Sequence, residues 1–217
     1  MVGVAHAAGV AGGRRVWSEH SGGAVALRCA GARCDVGRHA VVAVRAEHHV
    51  GIDHVPAIVT REAVPEDFDR YFDEGFQELS AESRHLRFFT AVRELPDSVR
   101  AALREVDGHS NAAVIAFDAA VRLPDHPEGK AIGVARWMSG GDGPPELSIS
   151  VIDAYQGCGV GTRLMDSLLA LARRRGVRRI VADVLRENSG MRALVNRYRA
   201  VVQPSGDPTV VRYRIDV

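Results

Sequence analysis

From Pro56 onward the apolar positions fall into regular periods. Phe68, Phe72, Phe76 and Leu79 recur every three or four residues, which predicts an amphipathic helix opening at Pro65. Proline suits the first helical position, and Glu66, Asp67 and Asp69 set negative charge near the positive end of the helix dipole. Ser80 reads as the N-cap of a second helix through Leu86, Phe88 and Phe89, and Asp97 to Val106 as a third helical piece after Pro96. A longer amphipathic helix is expected from Gly159 to Arg175, with Leu164, Leu168, Leu171 and Ala172 on one face and Gly176 as its C-terminal cap. Ser189 to Arg199 completes the helices. Strands are expected at Ala57–Thr60, Ala112–Phe117, Ala131–Met138, Glu146–Ile152, Ile180–Leu185 and Thr209–Val217, with a strong turn signal at Gly140 to Pro144. The order β-α-α-α-β-β-β-α-β-α-β predicts an α/β chain of the mixed (α+β) kind. It has a meander of strands in the middle and one right-handed strand–helix–strand unit after it.

The pattern divides the chain near residue 55. Residues 1–55 are rich in Ala, Gly, Val, His and Arg and hold no sustained period beyond a short apolar run at Ala40–Arg45. They are expected to form a weakly ordered N-terminal extension to a domain at 56–217. Composition narrows the function classes. The 217 residues include 28 basic and 27 acidic side chains, a net charge of +1, with 46% hydrophobic residues. This balance gives no support to a nucleic-acid or membrane-surface partner. No stretch approaches the roughly 20 apolar residues of a membrane span. Arg14 and Arg15 follow rather than precede the weakly apolar start, the wrong order for a secretory signal. Three cysteines, Cys29, Cys34 and Cys158, argue against a disulfide framework and for a reducing, cytoplasmic setting.

The segment with the most chemistry runs from Val151 to Thr162, after a strand and into a helix. Gly157, Gly159 and Gly161 let the backbone turn tightly and approach a ligand closely. The first amides of a helix lack internal partners, and the dipole adds positive potential, so the place suits a phosphate or pyrophosphate. Gly161-Thr162-Arg163 excludes a P-loop, which needs Gly-Lys-Ser/Thr, and the glycine spacing excludes the Gly-x-Gly-x-x-Gly dinucleotide fingerprint.

Gln156-x-x-Gly159-x-Gly161 resembles the Gln/Arg-x-x-Gly-x-Gly/Ala signature of the GNAT superfamily of N-acetyltransferases. Arg186-Glu187-Asn188 through Leu194 resembles the downstream Asn-x-x-Met-x-x-Leu segment of that superfamily. The resemblance spans about residues 56–217. It implies acetyl-CoA as co-substrate, bound by Val151, Ile152, Asp153, Gln156, Gly157, Cys158, Gly159, Val160, Gly161 and Thr162, with Asn188 and Met191 contributing farther on. It implies a bulge in the strand before the loop, which parts two strands for the pantetheine arm. A backbone N–H freed there, near Val151 or Ile152, would hold the oxyanion. No metal is expected in the reaction.

Leu79-Ser80-Ala81-Glu82-Ser83 through Phe89, and Asp183 through Met191, resemble the bacterial protein-lysine acetyltransferase (Pat) branch. In that branch a glutamate ten residues before the loop Gln is the general base, which here falls on Glu146. The physics agrees: an amine with a pKa of about 10.4 is mostly protonated at neutral pH, so something must take its proton. Many relatives place a Tyr general acid where this chain has Val195. Tyr198 lies nearby and out of register, a secondary catalytic candidate. Arg199-Ala200 stands where the family has Gly-Phe. The resemblance therefore implies acetylation of a protein lysine ε-amine, with a small amine (amino acid, polyamine or antibiotic) as alternative acceptor. A non-catalytic acyl-CoA-binding module is the alternative of a different class.

Other features read as structural. Arg173-Arg174-Arg175 and Arg178-Arg179 complement a helix C-terminus. Cys158 has no adjacent base in the sequence pattern and reads as a filler. Cys29, Cys34, His49 and His54 have zinc-like spacing, but no strand-turn-helix pattern frames them.

Overall fold

A computed structural model describes residues 52–140 and 143–217. The strand at Ala40–Arg45, the weak order expected of the extension, and Cys29, Cys34 and His49 lie outside the described residues. The elements follow the predicted order with one addition. They are β1 (Ile58–Glu62), α1 (Pro65–Gln77), α2 (Ala81–Phe88), α3 (Asp97–Arg104), β2 (Asn111–Asp118), β3 (Lys130–Met138), β4 (Glu146–Val151), α4 (Val160–Arg174), β5 (Arg179–Leu185), α5 (Ser189–Asn196), β6 (Val201–Gln203) and β7 (Val210–Asp216). A single 3-10 turn at Asp153–Tyr155 joins β4 to the glycine loop.

Local chemistry explains the boundaries. Pro65 opens α1 and the Asp67 carboxylate accepts from the Val64 N–H at 2.8 Å. Ser80 caps α2 by accepting from the Ser83 N–H at 3.1 Å. Gly176, at φ 75, ends α4 in the left-handed conformation glycine allows. The last helix stops at Asn196 rather than Arg199, because the chain turns at Arg199 with φ 54 and enters the three-residue strand β6. That strand has no apolar alternation long enough to show in the sequence.

The strands form one sheet in the order β1-β2-β3-β4-β5-β7-β6. β1 to β4 make an antiparallel meander, β4 and β5 run parallel, and β5, β7 and β6 are antiparallel. The parallel pair is the strand–helix–strand unit, with α4 as its crossover. The main core lies on the α4 and α5 side, where Leu164, Leu168, Ile149, Ile180 and Met191 are wholly buried. α1, α2 and α3 cover the other face with an apolar layer that includes Phe76, Phe88, Leu95 and Val99.

Two irregularities shape the site. The β2–β3 ladder shifts register between Ala116 and Phe117, while β4 pairs with β3 without a shift. The bulge expected in β4 is therefore found one ladder away. β4 and β5 are in register only at Glu146 and Val181, and beyond that point they diverge. The parting of two strands expected before the loop is present, and it comes from this early end of pairing.

Candidate active site

Strand alternation sorts the residues of β4. Leu147, Ile149 and Val151 face the core beneath α4. Glu146, Ser148 and Ser150 face the side covered by α1 and α2. Ile152 N–H donates to the Ile132 carbonyl at 3.1 Å, so this amide is committed to β3. The alternation of an antiparallel ladder then turns the Val151 N–H to the other edge of β4, toward the gap before β5. Of the two amides named for an oxyanion, Val151 is the one in position.

At the end of β4 the chain makes a cradle. Gly157 (φ 80) and Gly159 (φ 84) both take left-handed backbone, and a side chain on Gly159 would meet nothing within 4 Å. The first helical bond of α4 runs from Arg163 N–H to the Gly159 carbonyl at 3.1 Å, so the amides of Val160, Gly161 and Thr162 have no partner inside the helix. α1, α2 and α3 each carry an acidic residue in the first turn, whereas α4 carries none. Its N-terminus is electrostatically free for a ligand's phosphates. Val160 is buried and Thr162 half-buried.

The polar side chains of the loop are turned elsewhere. Asp153 accepts from Ser80 N–H (2.9 Å) and Ser83 Oγ (3.0 Å). Gln156 Nε2 donates to Ser83 Oγ (3.0 Å) and to the Val151 carbonyl (3.1 Å). Together they clamp the start of α2 to the loop, and Ser83 is the shared post. Cys158 is half-buried, with its thiol toward the Gln156 carbonyl. Asn188 is fully buried. Its Oδ1 caps α5 by accepting from Met191 N–H at 2.9 Å, while its Nδ2 has no partner among the described residues. An orphaned buried donor costs roughly 1–3 kcal/mol unless a ligand meets it, and a pantetheine amide carbonyl is such a ligand. The unpaired amides of α4 and this orphaned donor fit coenzyme A. The Met191 amide is spent on the Asn188 cap and its side chain is buried in the main core.

The catalytic candidates separate. Glu146 stands where β4 and β5 part, and its charge reaches two guanidiniums, Arg87 of α2 and Arg212 of β7, favouring their charged forms. Arg212 makes a two-pronged pair with the buried Asp183 of β5, its Nε at 2.6 Å, and that pair is the main reason its pKa is raised. Tyr198 lies against α4, with its hydroxyl donating to Asp166 at 2.8 Å and lying 3.2 Å from the Thr162 carbonyl. Burial first, then Asp166, push its pKa up, and no hydrogen bond joins it to Glu146. Val195, at the family's tyrosine position, is wholly buried.

A cavity of about 100 Å³ opens beside Ser148 and Ser150, under α1 and α2. Phe68, Phe72, Phe76 and Phe88 make its apolar wall, and Arg87 and Arg136 enter it as cations. Sequence reasoning missed Arg87, Arg136, Ser83 and Ser148. Arg87 and Ser83 lie in the Leu79–Phe89 segment already singled out. Arg136 had its own signal, a charge in the otherwise apolar strand Ala131–Met138.

Of the zinc candidates only His54 lies among the described residues. His54 Nε2 meets the wholly buried Asp118 at 2.5 Å, and Tyr155 donates to the same carboxylate at 3.1 Å. No group of three or more His, Cys, Asp or Glu suited to a metal is found among the described residues. No described helix is long and apolar enough to cross a membrane. Arg175 pairs with Glu62 at 2.8 Å, at the far end of α4 from the cradle.

A profile of the acetyltransferase (GNAT) family matches residues 61–199. The chain belongs to the GNAT family of acetyltransferases. This GNAT chain is 27% identical over 157 residues to acetyltransferase PA5475 of Pseudomonas aeruginosa, covering 71% of this chain and 81% of the relative. It is 32% identical over 143 residues to acetyltransferase Pat of Mycolicibacterium smegmatis, covering 65% of this chain. It spans 40% of that relative's length. Its fold matches the GNAT domain of S. lividans PAT with a TM-score of 0.63 at 24% identity, over 76% of this chain and 99% of that one. The GNAT chain is an acyl-CoA-dependent N-acetyltransferase.

Proposed function

We propose that this GNAT chain moves an acetyl group from acetyl-CoA to a primary amine by direct attack, with Glu146 as the general base. The observation that carries the reading is the position of Glu146. It is the one carboxylate of β4, it faces the α2 side, and it stands at the last residue pair before β4 and β5 separate. Acetyl-CoA supplies the acyl group as a thioester. Glu146 takes the amine proton directly or through a water, which leaves a lone pair for the carbonyl carbon. The Val151 N–H, turned into the gap, is aimed to hold the developing oxyanion. The new bond is N–C and the broken bond is C–S. The departing thiolate needs little help, since a thiol pKa is about 8.5. Tyr198 takes no part, because its proton is directed to Asp166.

Two acceptor classes follow. The likeness to Pat supports a protein lysine ε-amine. The small size of the cavity beside Ser148, about 100 Å³, favours a small amine. The cytoplasmic setting expected from the cysteines suits a coenzyme A substrate. The test is coenzyme A release from acetyl-CoA with lysine-containing proteins, amino acids, polyamines and aminoglycosides, alongside Glu146→Gln. Turnover should fall about 10²- to 10⁴-fold in Glu146→Gln with acetyl-CoA affinity retained. Unchanged turnover removes Glu146 as the base, and acetyl-CoA binding without turnover on any acceptor favours an acyl-CoA-binding module.

A further inference from the structure

The cavity under α1 is walled mainly by apolar side chains; its charged groups are Arg87, Arg136 and Asp67, and Asp67 is committed to Arg61. Arg136 is 2% exposed and projects from the middle of β3. Its Nη1 and Nη2 donate to the Leu103 and Glu105 carbonyls at the end of α3, at 2.8 and 3.4 Å. Its Nε is buried without a partner among the described residues. Among the described residues no carboxylate pairs with it. Arg87 comes from the opposite wall, donates from Nη2 to Ser148 Oγ at 3.1 Å, and answers to Glu146. Burial pushes Arg136 down to about 9, and the like charge of Arg87 adds to this. Burial likewise pushes Arg87 down to about 10, with Glu146 opposing. A wholly buried Arg136 guanidinium with no carboxylate paired to it among the described residues, beside the like charge of the half-buried Arg87, leaves the cavity short of an anion. Phe68, Phe72, Phe76 and Leu79 make the apolar part of the wall.

We propose that this cavity is the acceptor subsite for a carboxylate: the acetylated amine belongs to a small, amino-acid-like molecule whose carboxylate meets Arg136 and Arg87 while its apolar body lies against the α1 phenylalanines. Ser148 and Ser150 supply hydroxyls along the floor, and the amine lies toward Glu146, two residues from Ser148 on the same face of β4. A lysine side chain would bring a third cation toward the same two guanidiniums. The subsite deepens the amine-acetylating reading and rests on it for the identity of the reacting group, so its test begins with binding alone.

Calorimetry with the full chain compares 3-phenylpropionate, which has no amine, with 3-phenylpropanamide. The carboxylate should bind about tenfold more tightly or better, the worth of one charge-assisted hydrogen bond. Arg136→Met should abolish that preference with acetyl-CoA affinity retained. Should Arg136→Met fail to fold for want of the α3 contacts, Arg87→Gln carries the same test. In turnover, L-phenylalanine or L-leucine should exceed its own amide in kcat/KM by about tenfold or more, chiefly through KM. Equal binding of the acid and the amide overturns the subsite, as does a preference that survives both arginine variants. Lysine peptides turned over with no preference for a free carboxylate, or a preference for succinyl-CoA as donor with none among acceptors, also overturns it. Carboxylate binding without coenzyme A release on any amine would leave the subsite standing and sink the acetyl-transfer reading instead.

Discussion

Replacing Arg199 by glycine should make this protein more stable, although it deletes a whole charged side chain. Arg199 is exposed and sits at φ 54, where an L-residue pushes its Cβ toward its own carbonyl. That conformation costs about 1–2 kcal/mol for a residue with a side chain and almost nothing for glycine. The substitution also loosens the unfolded chain, returning about 0.4–1 kcal/mol. No hydrogen bond or ion pair from the Arg199 side chain enters the sum, so the net gain is about 0.5–1 kcal/mol. For a domain of this size that raises Tm by about 1–4 °C. Arg199→Ala is the control, because alanine keeps the backbone penalty and loses only the guanidinium; it should stay within about 0.5 kcal/mol of the parent. Urea unfolding of the three proteins, with equal m-values, measures the differences. If the glycine variant is no more stable than the alanine variant, the left-handed residue carries no strain, and the argument from its φ angle fails.

Other expectations follow from the same geometry. Asp118 is wholly buried and accepts from His54, Tyr155 and the Ala57 and Ala120 amides, bonds that outweigh its burial and hold its pKa below the usual carboxylate range. Its contribution is therefore complete above about pH 4 and is lost as pH falls through the depressed value; Asp118→Asn should flatten the acid limb of a stability-versus-pH curve. Gly129→Ala would set a Cβ 2.2 Å from the Asp118 carbonyl oxygen at φ 104, and should cost about 2 kcal/mol or more in a urea melt. Ser83→Ala removes the post shared by Asp153 and Gln156; a loss of about 1–3 kcal/mol is expected, together with weaker acetyl-CoA binding by calorimetry as α2 comes away from the loop.

The parts of the fold that were legible in the sequence are those whose own residues decide them. The stripe Leu164, Leu168, Leu171 and Ala172 is buried as its spacing requires, Ser80 caps α2, and Gly176 ends α4. The glycine loop could be read because backbone conformation is written directly in Gly157 and Gly159. What escaped was settled between segments. β6 exists because β7 offers it a ladder, not because Val201–Gln203 has a pattern of its own. The register shift sits in the β2–β3 ladder, since register belongs to a pair of strands. The loop motif says nothing of the Asp153 and Gln156 side chains holding Ser83, a partner some seventy residues away. Arg87 and Arg136 meet in one cavity only after α2 folds across β3 and β4, and neither segment alone predicts the other.

The early end of pairing between β4 and β5 makes the sheet two panels sharing a hinge. One panel carries β1 to β4, the other β5, β7 and β6, and they are laced at Glu146 and Val181 and at the neighbouring bond from Val181 N–H to the Pro145 carbonyl, 2.9 Å. Along the seam, the inner edge of each strand keeps backbone groups that no neighbouring strand answers. A peptide-like arm slid into that seam would take the place of a missing strand and sew the panels together, so the co-substrate would also serve as a piece of secondary structure. Amide exchange at Ile149 and Val151 would then slow when coenzyme A is in place, and its departure would mean undoing those stitches.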